Sequence, residues 1–317
     1  MDMLIGGKHI SSDDLAEVKN PYNGEVIDTV PIAHRQIADL AITEANNAKE
    51  SLQEMSAFKV SNKLFDVVEK LKDNREDFAH LLTLEVGKPI NESLVELDRS
   101  IETLKLAAEE AKRIYGESVP LDAGLNGKGF FAFTQKLPLG VVAAITPFNY
   151  PLNLTIHKIA PAIACKNTVI IKPPTEAPLT VMKFAELLNE EFPDGVVNTV
   201  TGYGSEIGDY LVTSDDVNKI SFTGSVTTGL MISQKAGMKK DAVLRTKFTG
   251  EKPNADPRKW ELASKILYKT NKPEIIRSLV GEEVTQEFIS FCKQKVITLA
   301  EAMLINNAKS RSILDSF

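Results

Sequence analysis

The run TPFNYPLNLTIHKIAPAIACKNTVIIKPP, residues 146–174, holds three side chains suited to chemistry: Asn149, Cys165 and Lys172. Asn149 stands between aromatic rings and ahead of a proline. Its amide either donates to a developing oxyanion or closes an Asx turn. Lys172 ends the apolar run NTVIIK and either binds ribose hydroxyls or a phosphate, or is a solvated strand-end lysine. Cys165 is either a nucleophile or a small packed residue. Further on, Gly202, Gly204 and Gly208 form one glycine-bearing turn, and Phe222-Thr223-Gly224-Ser225 another, each ahead of a helical run. Glycine permits close backbone approach, and a helix N-terminus offers unpaired N–H groups to phosphate. One such turn is ordinary punctuation. Four in succession, counting Thr146–Tyr150 and Lys172–Glu176, point to a dinucleotide.

Those junctions need a frame. From 140 to 240 apolar, β-branched runs (VVAAIT, NTVIIKP, VVNTVTG, KISFTG) alternate with helical ones (LNLTIHKIAPAIA, APLTVMKFAELLNEEF, SEIGDYLVTS, SVTTGLMISQKAG). That alternation predicts parallel βαβ units, with ligands at the carboxyl ends of the strands. Residues 3–33 read as two or three short strands broken by Gly, Asn and Pro turns. Residues 34–118 carry apolar residues at helical spacing in three runs, with Gly87-Lys88-Pro89 between the second and third. Residues 129–145 read as a hairpin feeding a buried strand, and 129–139 is the candidate surface for a homo-oligomer. Residues 241–257 are polar and turn-rich, a linker. Residues 258–317 carry an apolar stripe at helical spacing, read as a helical tail.

Composition narrows the partners. The formal charge of −6 is spread over 317 residues without a dense basic patch, which argues against nucleic acid. No run is apolar enough for a signal peptide or a membrane span, so a cytoplasmic protein with no membrane partner is expected. Cys165 and Cys292 are the only cysteines, so no disulfide framework is expected. TGEKP at 249–253 has no flanking Cys/His quartet, and no metal site is expected.

The run TPFNYPLNLTIHKIAPAIACKNTVIIKPPTEAPLT, the loop GYGSEIG and ISFTGSVTTG together resemble the aldehyde dehydrogenase superfamily. NPYNGEVI and EVGKPINESLVELDRSIETLKLAAEEA agree with it. The resemblance covers about residues 3–240 and is strongest to the archaeal lactaldehyde and non-phosphorylating glyceraldehyde-3-phosphate branch. It implies an α/β fold, a Rossmann-like parallel sheet with a helical N-terminal region, in one NAD(P)-binding domain over 1–240. It implies NAD(P)-dependent oxidation of a short aldehyde such as lactaldehyde. Asn149 matches the oxyanion-stabilising asparagine. Ile145, Pro147 and Phe148 match the wall beside the cofactor, and Lys172 the adenosine-ribose lysine. Thr175 stands where NAD-preferring members often carry glutamate, so NADP is expected to be tolerated or preferred, with Glu176 one position late. Gly204 and Gly208 match positions near the adenine ribose. Phe222, Thr223, Gly224, Ser225 and Thr228 match the loop that holds the diphosphate.

The family also needs a nucleophilic cysteine in a G-Q-x-C motif and a glutamate in E-L-G-G that activates water. After Lys240 this sequence reads DAVLRTKFTG, and it contains neither motif, nor the E-x-F-G-P segment that grips nicotinamide ribose. Cys165 is read as packing, and Cys292 has no preceding Gly-Gln. The expectation is therefore a truncated or chimeric chain, its catalytic domain missing and its catalysis impaired. The alternative is a cofactor-binding module without turnover.

Overall fold

The N-terminal residues form two antiparallel hairpins, β1 (Met3–Ile5) with β2 (Lys8–Ile10), and β3 (Leu15–Lys19) with β4 (Val26–Pro31). The first turns on Gly6 and Gly7, both at positive φ, as a two-residue hairpin loop requires. Five helices follow: α1 (Arg35–Asn47), α2 (Lys49–Gln53), α3 (Ala57–Asp73), α4 (Arg75–Val86) and α5 (Ile90–Glu110). The computed structural model describes residues 1–237.

Each long helix buries one stripe. α3 inserts Val60, Leu64, Val67, Val68 and Leu71, and Ser56 caps it by accepting the Lys59 N–H at 3.2 Å. α4 inserts Phe78, Ala79 and Leu82, and ends at Gly87, whose φ of 75° closes the helix onto the Thr83 carbonyl. Two of the three helical runs read from sequence are split in the structure. Asn74 separates α3 from α4: its side chain donates to the Lys70 carbonyl at 2.9 Å, taking up an acceptor at the end of α3. Ala48 separates α1 from α2.

The expected hairpin at 129–145 is corrected. The paired arms are β5 (Ser118–Val119) and β6 (Ala132–Phe133), with Thr134 N–H also donating to the Glu117 carbonyl at 2.8 Å, so the hairpin reaches back to 117, and residues 135–140 form no strand. Phe130, Phe131 and Phe133 are 71%, 79% and 67% exposed, so this arm contributes nothing to the core.

The strand–helix alternation then holds: β7 (Val141–Ile145), α6 (Pro151–Ala164), β8 (Thr168–Lys172), α7 (Leu179–Asn189), β9 (Val197–Thr199), α8 (Asp209–Thr213), β10 (Lys219–Phe222) and α9 (Val226–Gly237). A π-helical turn over Gly204–Gly208 precedes α8, where sequence suggested one longer helix. The four strands are parallel, in the order β10-β7-β8-β9. β7 and β8 are buried along their whole length. The core joins the sheet to α3, α5, α6 and α7 through Leu64, Leu104, Ile156, Ile171 and Phe184. The outer edge of β9 is covered by the first hairpin: Leu4 N–H donates to Thr199 Oγ1 at 2.8 Å, and Gly6 N–H to Asn198 Oδ1 at 2.9 Å. Residues Met1–Lys235 pack together as one unit. The linker, helical-tail and Cys292 readings lie outside the described residues.

Candidate functional site

The chain runs from β7 to one neighbour, β8, and later returns to the other, β10. In an open parallel sheet the cleft between such oppositely running connections, at the strands' carboxyl ends, is where ligands bind. Strand register puts the sequence-predicted residues there. Phe222 pairs with Ile145, and Ile145 with Lys172, so three of them form one row across β10, β7 and β8. Two bonds lock the row's exits: Thr223 N–H to the Ile145 carbonyl at 3.2 Å, and Thr146 N–H to the Lys172 carbonyl at 3.3 Å.

Lys172 is only 4% exposed, and its ammonium donates to one protein acceptor among the described residues, the Pro173 carbonyl at 3.1 Å. Burial pushes it down to about 8, against the pull of the nearby Glu176 carboxylate. A buried cation with spare donors at a strand's carboxyl end fits a ribose or a phosphate. Gly208 stands against its stem, since a Cβ there would lie 3.9 Å from Lys172 Cδ. Thr175 donates to the Gly202 carbonyl at 3.4 Å, tying the loop after β8 to the loop after β9. Gly204 has open space where a side chain would be.

Asn149 is exposed, and its Oδ1 accepts the Tyr150 N–H at 3.1 Å. That bond occupies the oxygen and leaves the amide nitrogen without a partner among the described residues. Pro147 and the 58% exposed Phe148 precede it on the same loop. On the β10 side, a Cβ at Gly224 would fall 2.4 Å from the Phe222 ring, so only glycine lets that ring lie over the turn. Ser225 Oγ accepts the Thr228 N–H at 3.2 Å and meets Thr228 Oγ1 at 2.8 Å, a side-chain cap for α9.

Three further residues join this cleft that sequence reading did not select. Lys158, 6% exposed on α6, donates to Thr223 Oγ1 at 2.5 Å and to the Leu154 carbonyl at 3.0 Å, and burial pushes it down to about 8. Glu96 on α5 is wholly buried and accepts the Leu152 and Asn153 N–H groups, both at 3.0 Å, while its other oxygen pairs with Lys88. Glu85 on α4 accepts the Leu179 and Thr180 N–H groups at 2.8 and 2.9 Å. A signal existed: Phe78, Leu82 and Glu85 share one helical stripe, and an acid on an apolar stripe needs a buried partner.

These two carboxylates sort the four junctions. The N-termini of α6 and α7 are already filled by internal anions. Neither α9 nor the turn leading into α8 has such a carboxylate bonded to its first amides among the described residues, and α9 carries only its own Ser225 cap. Cys165 is also placed, and the packing reading is corrected. It is exposed at the C-cap of α6, in a cleft with Lys136 and Asn167. Partial burial pushes its thiol up, with Lys136 pulling the other way. The fourteen residues of α6 separate it from Asn149 by roughly 20 Å. It therefore cannot attack a substrate held at Asn149.

The chain belongs to the aldehyde dehydrogenase family, which it matches over residues 9–247. It is 36% identical to lactaldehyde dehydrogenase of Methanococcus aeolicus, over 93% of this chain and 64% of that protein. It is 41% identical to lactaldehyde dehydrogenase of Methanocaldococcus jannaschii, over 80% of this chain and 53% of that protein. The crystal structure of glyceraldehyde-3-phosphate dehydrogenase GapN from M. jannaschii, complexed with NADP, superposes with a TM-score of 0.69 at 38% identity. That superposition covers 82% of this chain and 56% of the solved one. The chain thus spans about half to two thirds of the length of these relatives. Among the described residues no helix is long and apolar enough to cross a membrane, and no cluster of acids, His or Cys is suited to a metal.

Proposed function

We propose that this chain binds NAD or NADP in the cleft between the β7 and β10 junctions, as part of an oxidoreductase that oxidises a short aldehyde such as lactaldehyde to its acid. One observation carries the reading: the row Phe222–Ile145–Lys172 at the strands' carboxyl ends, beside α9, whose first amides meet no buried carboxylate among the described residues. Lys172, Thr175 and Gly208 would hold the adenosine end, Gly224, Ser225 and the first amides of α9 the diphosphate, and Ile145 to Phe148 the nicotinamide end. When bound, the dinucleotide supplies a hydride acceptor. Asn149 then offers its free amide nitrogen to a carbonyl oxygen that gains negative charge. Thr175 presents no carboxylate to a 2′-phosphate, and the buried Lys172 ammonium, with Glu176 near it, supplies a cation on the same loop, so NADP is tolerated or preferred.

Isothermal titration of the chain with NADP⁺ and NAD⁺ tests this. The expected result is saturable binding, tighter for NADP⁺ and lost in Lys172→Ala. The NADP⁺ advantage should shrink as pH rises past about 8, where Lys172 sheds its charge. Wild type and Lys172→Ala binding alike would overturn the reading.

A second reading, binding without turnover, is favoured by the position of Cys165 at the far end of α6. Reduced-nicotinamide formation from lactaldehyde decides between the two: turnover supports the first, and binding alone supports the second. In either case Cys165→Ser should leave the rate unchanged. The exposed Phe130, Phe131 and Phe133 make the 118–139 arm a candidate contact with a second copy, so Phe131→Ser should lower the mass seen in light scattering.

A further inference from the structure

Two of the loops assigned to the cofactor, those after β7 and β8, are each followed by a helix that cannot cap itself. The residue before α6 is Tyr150 and the residue before α7 is Pro178, and neither has a side chain that accepts the first amides. Elsewhere in this chain a local serine does that work, Ser56 for α3. A local cap satisfies an amide but leaves the loop free to move with its helix. A cap delivered from another layer satisfies the amide and also pins the loop to that layer. Both α6 and α7 have the second kind. Glu85, 94 residues away in sequence, binds Leu179 N–H from α4. Glu96, 56 residues away, binds Leu152 N–H from α5.

We propose that Glu85 and Glu96 are positioning residues for the dinucleotide: Glu85 fixes the adenosine-end loop, residues 173–178, and Glu96 fixes the nicotinamide-end loop, residues 146–150. This rests on the cofactor reading above. Lys88 extends the second anchor into the loop itself. It pairs with Glu96, lies 4.6 Å from the Tyr150 ring centroid and reaches the Asn149 carbonyl at 3.5 Å. The two carboxylates have a second effect. By occupying the first amides of α6 and α7 they turn the diphosphate away from those two helix N-termini.

The two anchors act on opposite ends of one ligand, so ligands of different length separate them. NADP⁺ and 2′-AMP, which carries only the adenosine end, are titrated into the full chain and its variants well below their unfolding midpoints. At pH 8, above the value of about 7 for Glu85, Glu85→Gln is expected to weaken both ligands by about tenfold, the worth of one charge-assisted hydrogen bond. Glu96→Gln is expected to weaken NADP⁺ by a similar factor and leave 2′-AMP within twofold of wild type. If both variants melt earlier while keeping wild-type affinities, or if Glu96→Gln weakens 2′-AMP as much as NADP⁺, the proposal is overturned and the carboxylates only support the fold. Should either Gln variant fail to fold, Glu85→Asp and Glu96→Asp keep the charge and draw the oxygens back by one methylene, with the same pattern expected. A wild type that binds neither ligand would remove the cofactor reading together with this proposal. A wild type that binds, with variants indistinguishable from it, would remove this proposal alone.

Discussion

The starts of α6 and α7 are two solutions to one problem. Both helices begin at a proline-bearing loop, both lack a usable N-cap side chain, and both take two backbone N–H groups to a buried glutamate from the helical layer. They differ in charge. Glu96 has Lys88 beside it and forms a neutral pair with a side chain 10% exposed on the lysine side. Glu85 has no cation against it among the described residues, and burial pushes its carboxyl up to about 7. The same geometry is therefore held in one place by a fixed ion pair, and in the other by a group that gains or loses its proton near neutral pH. Two amides stabilise an anion, but not enough to offset full burial.

The largest expected effect comes from breaking the pair. Lys88→Met strands Glu96 as a buried, uncompensated anion and should cost about 3–5 kcal/mol in urea unfolding at pH 8. No equivalent variant exists at Glu85, because there is no cation to remove. Next is the pH response of Glu85. Its folded value, about 7, lies above the 4.5 of the free side chain, so its contribution to stability is fully present below about 4.5 and is lost as pH rises through about 7. Glu85→Gln resembles the protonated acid and removes that dependence. The stability of the Gln variant relative to wild type should rise by about 3 kcal/mol between pH 4.5 and pH 8, read from paired urea curves. A difference that stays flat across that window would show that Glu85 keeps its charge throughout.

The smallest stability effect extends the contrast to α9, a cofactor-side helix with no buried carboxylate on its first amides among the described residues. Ser225→Asp would supply one. It should stabilise the chain by less than about 1 kcal/mol, through the helix dipole. It should also weaken NADP⁺ by repelling the diphosphate. An unchanged affinity would mean that the phosphates do not sit at α9.

Much of this frame was legible in the sequence. The alternation of β-branched and amphipathic runs after residue 140 gave the parallel strands and their helices, because strands buried on both faces must read as continuous apolar runs. Ile145, Lys172 and Phe222 were legible as strand ends. Their alignment in one row was not, since register depends on pairing between distant segments. Glu85 and Glu96 were hidden for a related reason. An acid within a helix reads as a solvated face unless its partner is known, and the partners here are amides in other layers. Lys158 was hidden likewise within the apolar helix α6. The 129–145 run misled because its pairing partner lies outside it: β6 pairs back to Ser118 and leaves the phenyl rings exposed.

The cover on β9 bears on the order of synthesis. Leu4, which shields Thr199, is made 195 residues ahead of it. When β9 leaves the ribosome, the segment that blocks its outer edge is already waiting, so that edge need never stand bare beside another nascent chain. The same separation delays completion of the fold, because closing so long a loop must wait for the strand that rewards it. Removing residues 1–6 would thus leave the βα core intact in sequence and expose an open, fully buried-type strand during every round of translation.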